Sequence, residues 1–98
     1  MLKNFRVYEA AIRIYHLCDE VKCAAHLKSQ LLDAAASIGQ NIAEGYGRIL
    51  KRDKYRFYRI ALGSARECLA IMAQGRISEP VLLDLLDFVA GGLYKLVR

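Results

Sequence analysis

Apolar residues recur at steps of three and four along almost the whole chain, and no stretch alternates strictly between apolar and polar residues. The first period belongs to amphipathic α-helices, whereas half-buried strands repeat every second residue. The one proline and several glycines fall between the apolar segments. The spacing therefore predicts an all-α fold, an antiparallel up-down four-helix bundle that forms a single domain over residues 1–98.

The predicted helices have identifiable ends. They cover residues 3–21, about 27–45, 51 or 53 to 74, and 79–97, with Glu79 and Pro80 in the first turn of the fourth helix. Gly45 and Gly47 supply the stop of the second helix and Gly75 that of the third, because glycine tolerates the left-handed conformation that ends many helices. Ser78 is placed to cap the fourth helix. Gly39 lies inside the second helix, where a glycine marks either a bend or a close contact.

The first, third and fourth predicted helices each carry two apolar rows, which is more apolar surface than one narrow core face needs. In the fourth, a heptad row from Leu82 to Leu96 runs beside a second row from Val81 to Gly92, and the first helix is doubled in the same way. Hydrophobic residues make up 55% of only 98 residues, so an isolated bundle would leave part of this surface in water. The pattern favours self-association, with a single wide core face as the alternative.

Positive charge is concentrated in one segment of the chain. The whole protein has a net charge of +5, whereas residues 48–66 hold seven cations and the single acid Asp53, a balance of +6 (7 − 1). The remainder is therefore nearly neutral. This segment is the predicted binding site for an anionic partner, either nucleic acid or an acidic protein surface. Its cations are Arg48, Lys51, Arg52, Lys54, Arg56, Arg59 and Arg66.

Helical spacing arranges part of this charge as a line. Arg52, Arg56, Arg59, Gly63 and Arg66 repeat at steps of three and four, so they share one face of the predicted third helix. Guanidinium groups bind phosphates bidentately, which makes such a face suitable for RNA. A solvated helix face that only maintains solubility is the alternative interpretation.

Three tyrosines, Tyr46, Tyr55 and Tyr58, accompany the arginines in sequence. Aromatic rings beside cations stack on unpaired bases in many RNA-binding proteins. Tyr55 and Tyr58 also fall on an apolar stripe of the third helix, so packing in the core is the alternative role for both.

Catalytic and metal sites find little support in the sequence. Ser64 lacks the strand-to-helix elbow of a serine nucleophile, and with its neighbour Gly63 it is small enough to let two helices cross closely. His16 and His26 lack the partners of a zinc or di-iron site. We expect a non-enzymatic protein without metal or cofactor.

The cysteines and the hydropathy of the sequence indicate the cellular compartment. Cys18, Cys23 and Cys68 are odd in number and lack CxxC spacing, which predicts reduced thiols. No apolar run approaches the roughly 20 residues of a membrane span, and no signal-peptide core begins the chain. We expect a cytoplasmic protein with no membrane partner.

Polar residues around the basic segment predict local bonds. Glu44 and Arg48 have the i,i+4 spacing of an ion pair. Asn41 and Glu44 are expected to bond across the helix bend, and Glu67 to meet one of the arginines.

Three groups of residues here follow a known pattern. They are Ser37-Ile38 with Asn41-Ile42-Ala43-Glu44-Gly45, then Gly47-Arg48, and finally Ile60-Ala61 with Gly63-Ser64 and Glu67. The pattern resembles the bacterial four-helix-bundle family of the 23S ribosomal RNA intervening-sequence proteins. The match is specific over residues 30–67, weaker over the first helix and weakest after residue 74.

The resemblance implies a bundle that assembles as a ring-like homopentamer and has no established enzymatic activity. Related bundles accompany the reverse transcriptase of diversity-generating retroelements, where they are thought to bind the enzyme and RNA. The expected function is therefore binding of structured RNA or a nucleoprotein, with a protein scaffold that docks a reverse transcriptase as the alternative. The chain departs from the family at Leu32-Asp33, where an arginine is usual, and in its shorter C-terminal helix. The expected architectural residues are Asn41, Glu44, Gly45, Gly63, Ser64 and Glu67.

Overall fold

A computed structural model describes residues 5–98, and within this range it contains helices and no strand. The four helices are α1 (Arg6–Glu20), α2 (Ala25–Tyr46), α3 (Lys51–Gln74) and α4 (Pro80–Val97). The predicted all-α fold with four helices is confirmed, and the observed ends lie within a few residues of the predicted ones. The predicted start of the first helix at residue 3 lies outside the described residues.

Each helix packs against two others. α1 contacts α2 and α4, and α3 contacts the same two helices. The 24 residues of α3 extend about 36 Å at 1.5 Å per residue, which accounts for the 40 Å long axis of a molecule only 21 by 19 Å across. Because α2 and α4 cover two sides of α3, the outer side of α3 forms a long edge of the bundle.

In α1 and α4 one apolar stripe forms most of the buried surface, whereas both apolar stripes of α3 contribute buried residues to the core. Val7, Ile14 and Cys18 of the inner stripe of α1 are buried, whereas Ile12 of its second stripe is 43% exposed. In α4, Leu86 of the heptad row is buried, whereas Val81 of the second row is 52% exposed. The doubled stripes of α1 and α4 therefore leave apolar side chains on the surface of the single chain. No helix within residues 5–98 has the length and hydropathy of a membrane span.

The three cysteines are free thiols, with Cys18 and Cys68 buried and Cys23 half-buried. A hydrogen bond between the two buried thiols and their burial raise the pKa of Cys68 well above its usual range. This thiol stays protonated inside the core, where it packs as a small apolar side chain.

Cations from neighbouring helices satisfy the carbonyl ends of α1 and α4. The Lys28 ammonium donates to the Asp19 carbonyl at 2.6 Å and to the Cys18 carbonyl at 3.3 Å. Arg59 of α3 donates to the Val97 carbonyl at 3.4 Å. The last turn of a helix carries partial negative charge, so these contacts stabilise the ends while tying one helix to the next.

α3 ends in a Schellman motif with an arginine at the position that glycine usually holds. The Ile77 amide donates to the Met72 carbonyl at 2.9 Å, and the Arg76 amide donates to the Ala73 carbonyl at 3.2 Å. Arg76 has φ 51°, in the left-handed region that is unfavourable for side chains with a Cβ. The left-handed conformation therefore occurs at Arg76, one residue after Gly75.

We expect Arg76→Gly to stabilise the protein by about 0.5–1 kcal/mol, because glycine adopts the left-handed conformation without the Cβ clash. Urea unfolding at fixed protein concentration measures the change. Arg76→Ala is the matched control, since it removes the same guanidinium and keeps the Cβ. Equal unfolding free energies for the Gly and Ala variants would contradict the strain at this position.

The glycines at the ends of α2 and α3 do not adopt the left-handed conformation, and Gly75 instead permits a close contact. Among residues 5–98 no glycine has a positive φ, and Gly47, at the end of α2, has φ −79°. A Cβ on Gly75 would lie 2.9 Å from Leu27 Cδ1. The prediction of left-handed glycine stops is wrong, although the helices end where expected.

Two further local predictions fail. Ser78 does not cap α4, because the N-cap is Glu79, with Pro80 in the first turn. α2 runs without interruption through Gly39, where an added Cβ would make an ordinary contact of 3.9 Å with the Ala11 Cβ. Neither a bend nor a close approach explains this glycine.

Candidate nucleic-acid interface

The predicted line of arginines lies on the outer side of α3. Arg52, Arg56, Arg59 and Arg66 are all exposed, and so is Gly63 on the same line. Since α2 and α4 pack against the other sides of α3, helical spacing leaves these residues facing solvent. From the first arginine to the last the line is about 21 Å long at 1.5 Å per residue.

Arg48 lies in the turn before α3 and is held from two sides. Its Nη2 contacts Glu44 Oε2 at 2.6 Å, which confirms the predicted i,i+4 pair. The guanidinium carbons of Arg48 and Arg56 lie 4.8 and 4.4 Å from the centre of the Phe57 ring. Cation–π contacts of this kind orient guanidinium groups while leaving their N–H donors available. The sequence analysis missed Phe57, although its position directly after Arg56 is a usable signal.

Lys54 has mainly a structural role, because its ammonium bonds to the backbone of α2. Its ammonium donates to the Gly45 carbonyl at 3.1 Å and the Tyr46 carbonyl at 3.0 Å, at the end of α2. This cation joins the start of α3 to the last turn of α2. Lys51, the first residue of α3, is exposed and adds charge beside the arginine line.

The remaining arginines differ in how strongly the protein engages them. Arg59 makes the long hydrogen bond to Val97 and lies 5.8 Å from the centre of the Tyr55 ring. Arg52 and Arg66 have no hydrogen bond or ion pair with any of residues 5–98. Their donors are therefore available to a ligand.

An open depression lies on the same face of α3. Three guanidinium groups and one carboxylate surround Ile60, which is 43% exposed. The local balance of +2 (3 − 1) in a concave surface favours an anion over a cation. The lining residues are Arg52, Asp53, Arg56, Arg59 and Ile60.

The three tyrosines pack inward. Tyr58 is 4% exposed, and its ring meets Phe5 edge-on at 6.5 Å. Burial, and to a smaller extent Tyr46, raises the pKa of Tyr58. Tyr46 packs against Phe5 at 5.7 Å, and Tyr55 is partly buried against the core. Tyr58 and Tyr55 therefore pack in the core, which was their alternative predicted role, and Tyr46 is half-buried against Phe5.

A small polar network fixes the crossing of α2 and α3. The Ser37 and Ser64 hydroxyl oxygens lie 2.7 Å apart, and the Asn41 amide donates to the Ser37 carbonyl at 2.8 Å and to its hydroxyl at 3.0 Å. Ser64 thus permits the close crossing that was predicted. Asn41 bonds within α2, so its predicted bond across the bend is wrong.

Gly45 is a point of close approach between the same two helices. A Cβ there would lie 2.7 Å from the Tyr58 ring and 3.0 Å from the Lys54 carbonyl oxygen. Only hydrogen fits between these groups, so Gly45 has the architectural role expected of it.

Two other expected architectural residues behave differently. A Cβ on Gly63 would have no neighbour within 4 Å, so this glycine does not serve packing within the described chain. Glu67 is exposed and forms no ion pair with an arginine among residues 5–98. The predicted close packing at Gly63 and the predicted bond of Glu67 are wrong for the single chain.

Comparison with known proteins identifies the family. No curated protein and no solved structure is significantly similar to the chain. The family model of the 23S rRNA-intervening sequence protein matches residues 5–78, which include α1, α2 and α3 together with the arginine line. α4 lies beyond the matched range. The match covers most of the sequence, and the chain belongs to the 23S rRNA-intervening sequence protein family.

Proposed function

We propose that this protein is a non-enzymatic, self-associating helical bundle that binds RNA through the outer face of α3. The observation that carries the proposal is the line of four exposed arginines on one edge of the molecule, in a chain that is otherwise nearly neutral. Each guanidinium can engage a phosphate bidentately. Four such contacts, spaced along about 21 Å of helix, suit a polyanion better than a small anion.

The polar groups near this face support a binding role over a catalytic one. The Ser64 hydroxyl is bonded to Ser37, and Glu44 is paired with Arg48. A serine nucleophile needs an adjacent base, and a carboxylate acting as general base must be free to take a proton. Both side chains instead hold the α2–α3 corner together.

Self-association is supported by apolar side chains that the single chain leaves in water. Val81, Phe88 and Ile12 are 52%, 48% and 43% exposed. Ile12 lines a groove between α1 and α2, with Gly39 and Ala43 among the other lining residues. We propose that the helices run in antiparallel up-down order and that the bundles close into a ring-like homopentamer. Repeating the arginine line by symmetry would turn weak phosphate contacts into avidity.

Replacing Arg52, Arg56 and Arg59 together with Gln tests the RNA-binding proposal. We expect affinity for RNA to fall by about 100-fold or more near 0.1 M salt, because binding releases fewer counterions when phosphate contacts are lost. The slope of log affinity against log salt should become shallower. Fluorescence polarisation with labelled RNA measures both quantities, and circular dichroism confirms that the variant is folded.

The matched control replaces the exposed cations Arg6, Arg13 and Lys22 with Gln, which changes the net charge equally but leaves α3 intact. We expect less than about a fivefold loss, since these charges act only at long range. Equal losses of RNA affinity in the two triple variants would show that α3 is not the binding site. If the native protein binds neither RNA nor DNA at low salt, the RNA proposal fails, and a protein scaffold that docks a partner such as a reverse transcriptase takes its place.

A solution molar mass tests the assembly separately. A pentamer of the 11.0 kDa chain has a mass of 55 kDa (5 × 11.0). Light scattering coupled to size exclusion measures it, and a clean 11.0 kDa species would contradict self-association.

A further inference from the structure

The basic face of α3 holds cations in the open but no open aromatic ring. Tyr58 is buried, and Tyr46 packs against Phe5. Phe57, the ring closest to the arginine line, already contacts the guanidinium groups of Arg48 and Arg56. Proteins that bind single strands rely on aromatic platforms, each worth about 1–3 kcal/mol per stacked base. This face therefore has phosphate-binding groups without the groups that read unpaired bases.

The shape of the face excludes insertion into a groove. A recognition helix must protrude to enter the major groove of DNA, and the major groove of an RNA duplex is too narrow for it. α2 and α4 pack against two sides of α3, and the exposed arginine line lies on its outer side. A straight ridge of cations about 21 Å long can lie along roughly six base-pair rises of a double helix at about 3.4 Å each.

Building on the proposed function, we infer that the ligand of this face is a nucleic-acid double helix, bound through its phosphates and without contacts to bases. The chain supplies Arg52, Arg56, Arg59 and Arg66 as phosphate ligands. Duplex RNA and duplex DNA of equal length should bind alike, because neither base edges nor stacking enter the contact. An unpaired strand presents the same phosphates at lower charge density and gains nothing from stacking.

Counterion release sets the size of the expected preference. Four phosphate contacts give a log–log salt slope of about −3.6 on a duplex (−0.9 × 4) and about −2.8 on a single strand (−0.7 × 4). The difference amounts to about sixfold in favour of the duplex at 0.1 M salt. Stacking would act in the opposite direction, favouring the single strand by about fivefold or more per base.

The experiment measures binding of the full chain to a short RNA duplex, the DNA duplex of the same sequence, and a uridine-rich single strand without self-pairing. We expect the two duplexes to agree within about threefold and the single strand to bind about sixfold more weakly at 0.1 M salt. Equal or tighter binding of the single strand overturns the inference while leaving RNA binding intact. Binding to none of the three overturns the proposed function itself.

A variant at Tyr94 adds an independent readout. This ring is 52% exposed on α4, three residues before Val97, whose carbonyl accepts the bond from Arg59. It is therefore the exposed aromatic side chain best placed to reach a base next to the arginine line. We expect Tyr94→Ala to change affinity for each probe by less than about twofold. A selective loss of single-strand binding of about fivefold or more in this variant would identify a stacking site and overturn the inference.

Discussion

Replacing Gly45 with Ala is expected to lower the free energy of unfolding by about 2 kcal/mol. The added Cβ would meet the Tyr58 ring at 2.7 Å and the Lys54 carbonyl oxygen at 3.0 Å. Overpacking a tight contact costs about 1–3 kcal/mol, and here neither a buried ring nor a backbone carbonyl can move aside cheaply. The better helix propensity of alanine offsets about 1 kcal/mol of a cost that lies at or above the upper end of that range.

Gly91→Ala is the matched control in α4. An added Cβ there has no neighbour within 4 Å, so only helix propensity acts and stability should rise by about 1 kcal/mol. Urea unfolding of both variants at one protein concentration separates the two effects. A Gly45→Ala protein as stable as the native one would show that α2 and α3 do not approach this closely.

Replacing Leu86 with Ala is expected to destabilise the fold by about 3 kcal/mol, whereas Phe88→Ala should leave the fold intact and weaken self-association. Leu86 has no exposed surface, and Phe88 is 48% exposed two residues later on the same helix. Truncating a buried leucine costs about 2–5 kcal/mol through lost burial and the cavity left behind. An exposed phenylalanine contributes little to the single chain, but burying it against a second copy would stabilise an assembly.

Thermal unfolding and solution molar mass read the two variants separately. Leu86→Ala should unfold at a lower temperature, while Phe88→Ala should show a lower molar mass at micromolar concentration with helical content unchanged. If the Phe88→Ala protein keeps the native molar mass, this row of α4 does not form the interface between copies. The exposed row would then have to be explained within the single chain.

Local spacing predicted the helices and the arginine line because both depend only on the helical repeat. Steps of three and four identified all four helices to within a few residues of their ends. The same repeat placed Arg52, Arg56 and Arg59 on one side of α3, and the i,i+4 rule predicted the pair between Glu44 and Arg48. These features involve neighbours within about two turns of one helix, so no knowledge of packing was required.

Other features of the site depend on a neighbouring helix, which spacing along one helix does not show. The Lys54 ammonium, predicted as part of the basic surface, donates to the carbonyls at the end of α2. Gly63 has the composition of a close helix crossing, but the crossing lies at Ser64 and Gly45, and Gly63 faces outward. A small residue shows that another helix could approach closely at its position. Whether a helix does so depends on how the neighbouring helix packs.

The amino-acid order alone was sufficient for the fold class, the helix ends and the segment that carries the charge, because these follow from short-range periodicity and composition. Only the three-dimensional packing decided which cations are available to a ligand. Lys54 is bonded to carbonyls and Arg48 to Glu44, whereas Arg52 and Arg66 remain open to solvent. Packing also placed Tyr58 in the core and Tyr55 partly against it, because burying a large ring stabilises a small bundle more than leaving it in water. The surface that remains is a row of exposed guanidinium groups on the edge formed by α3.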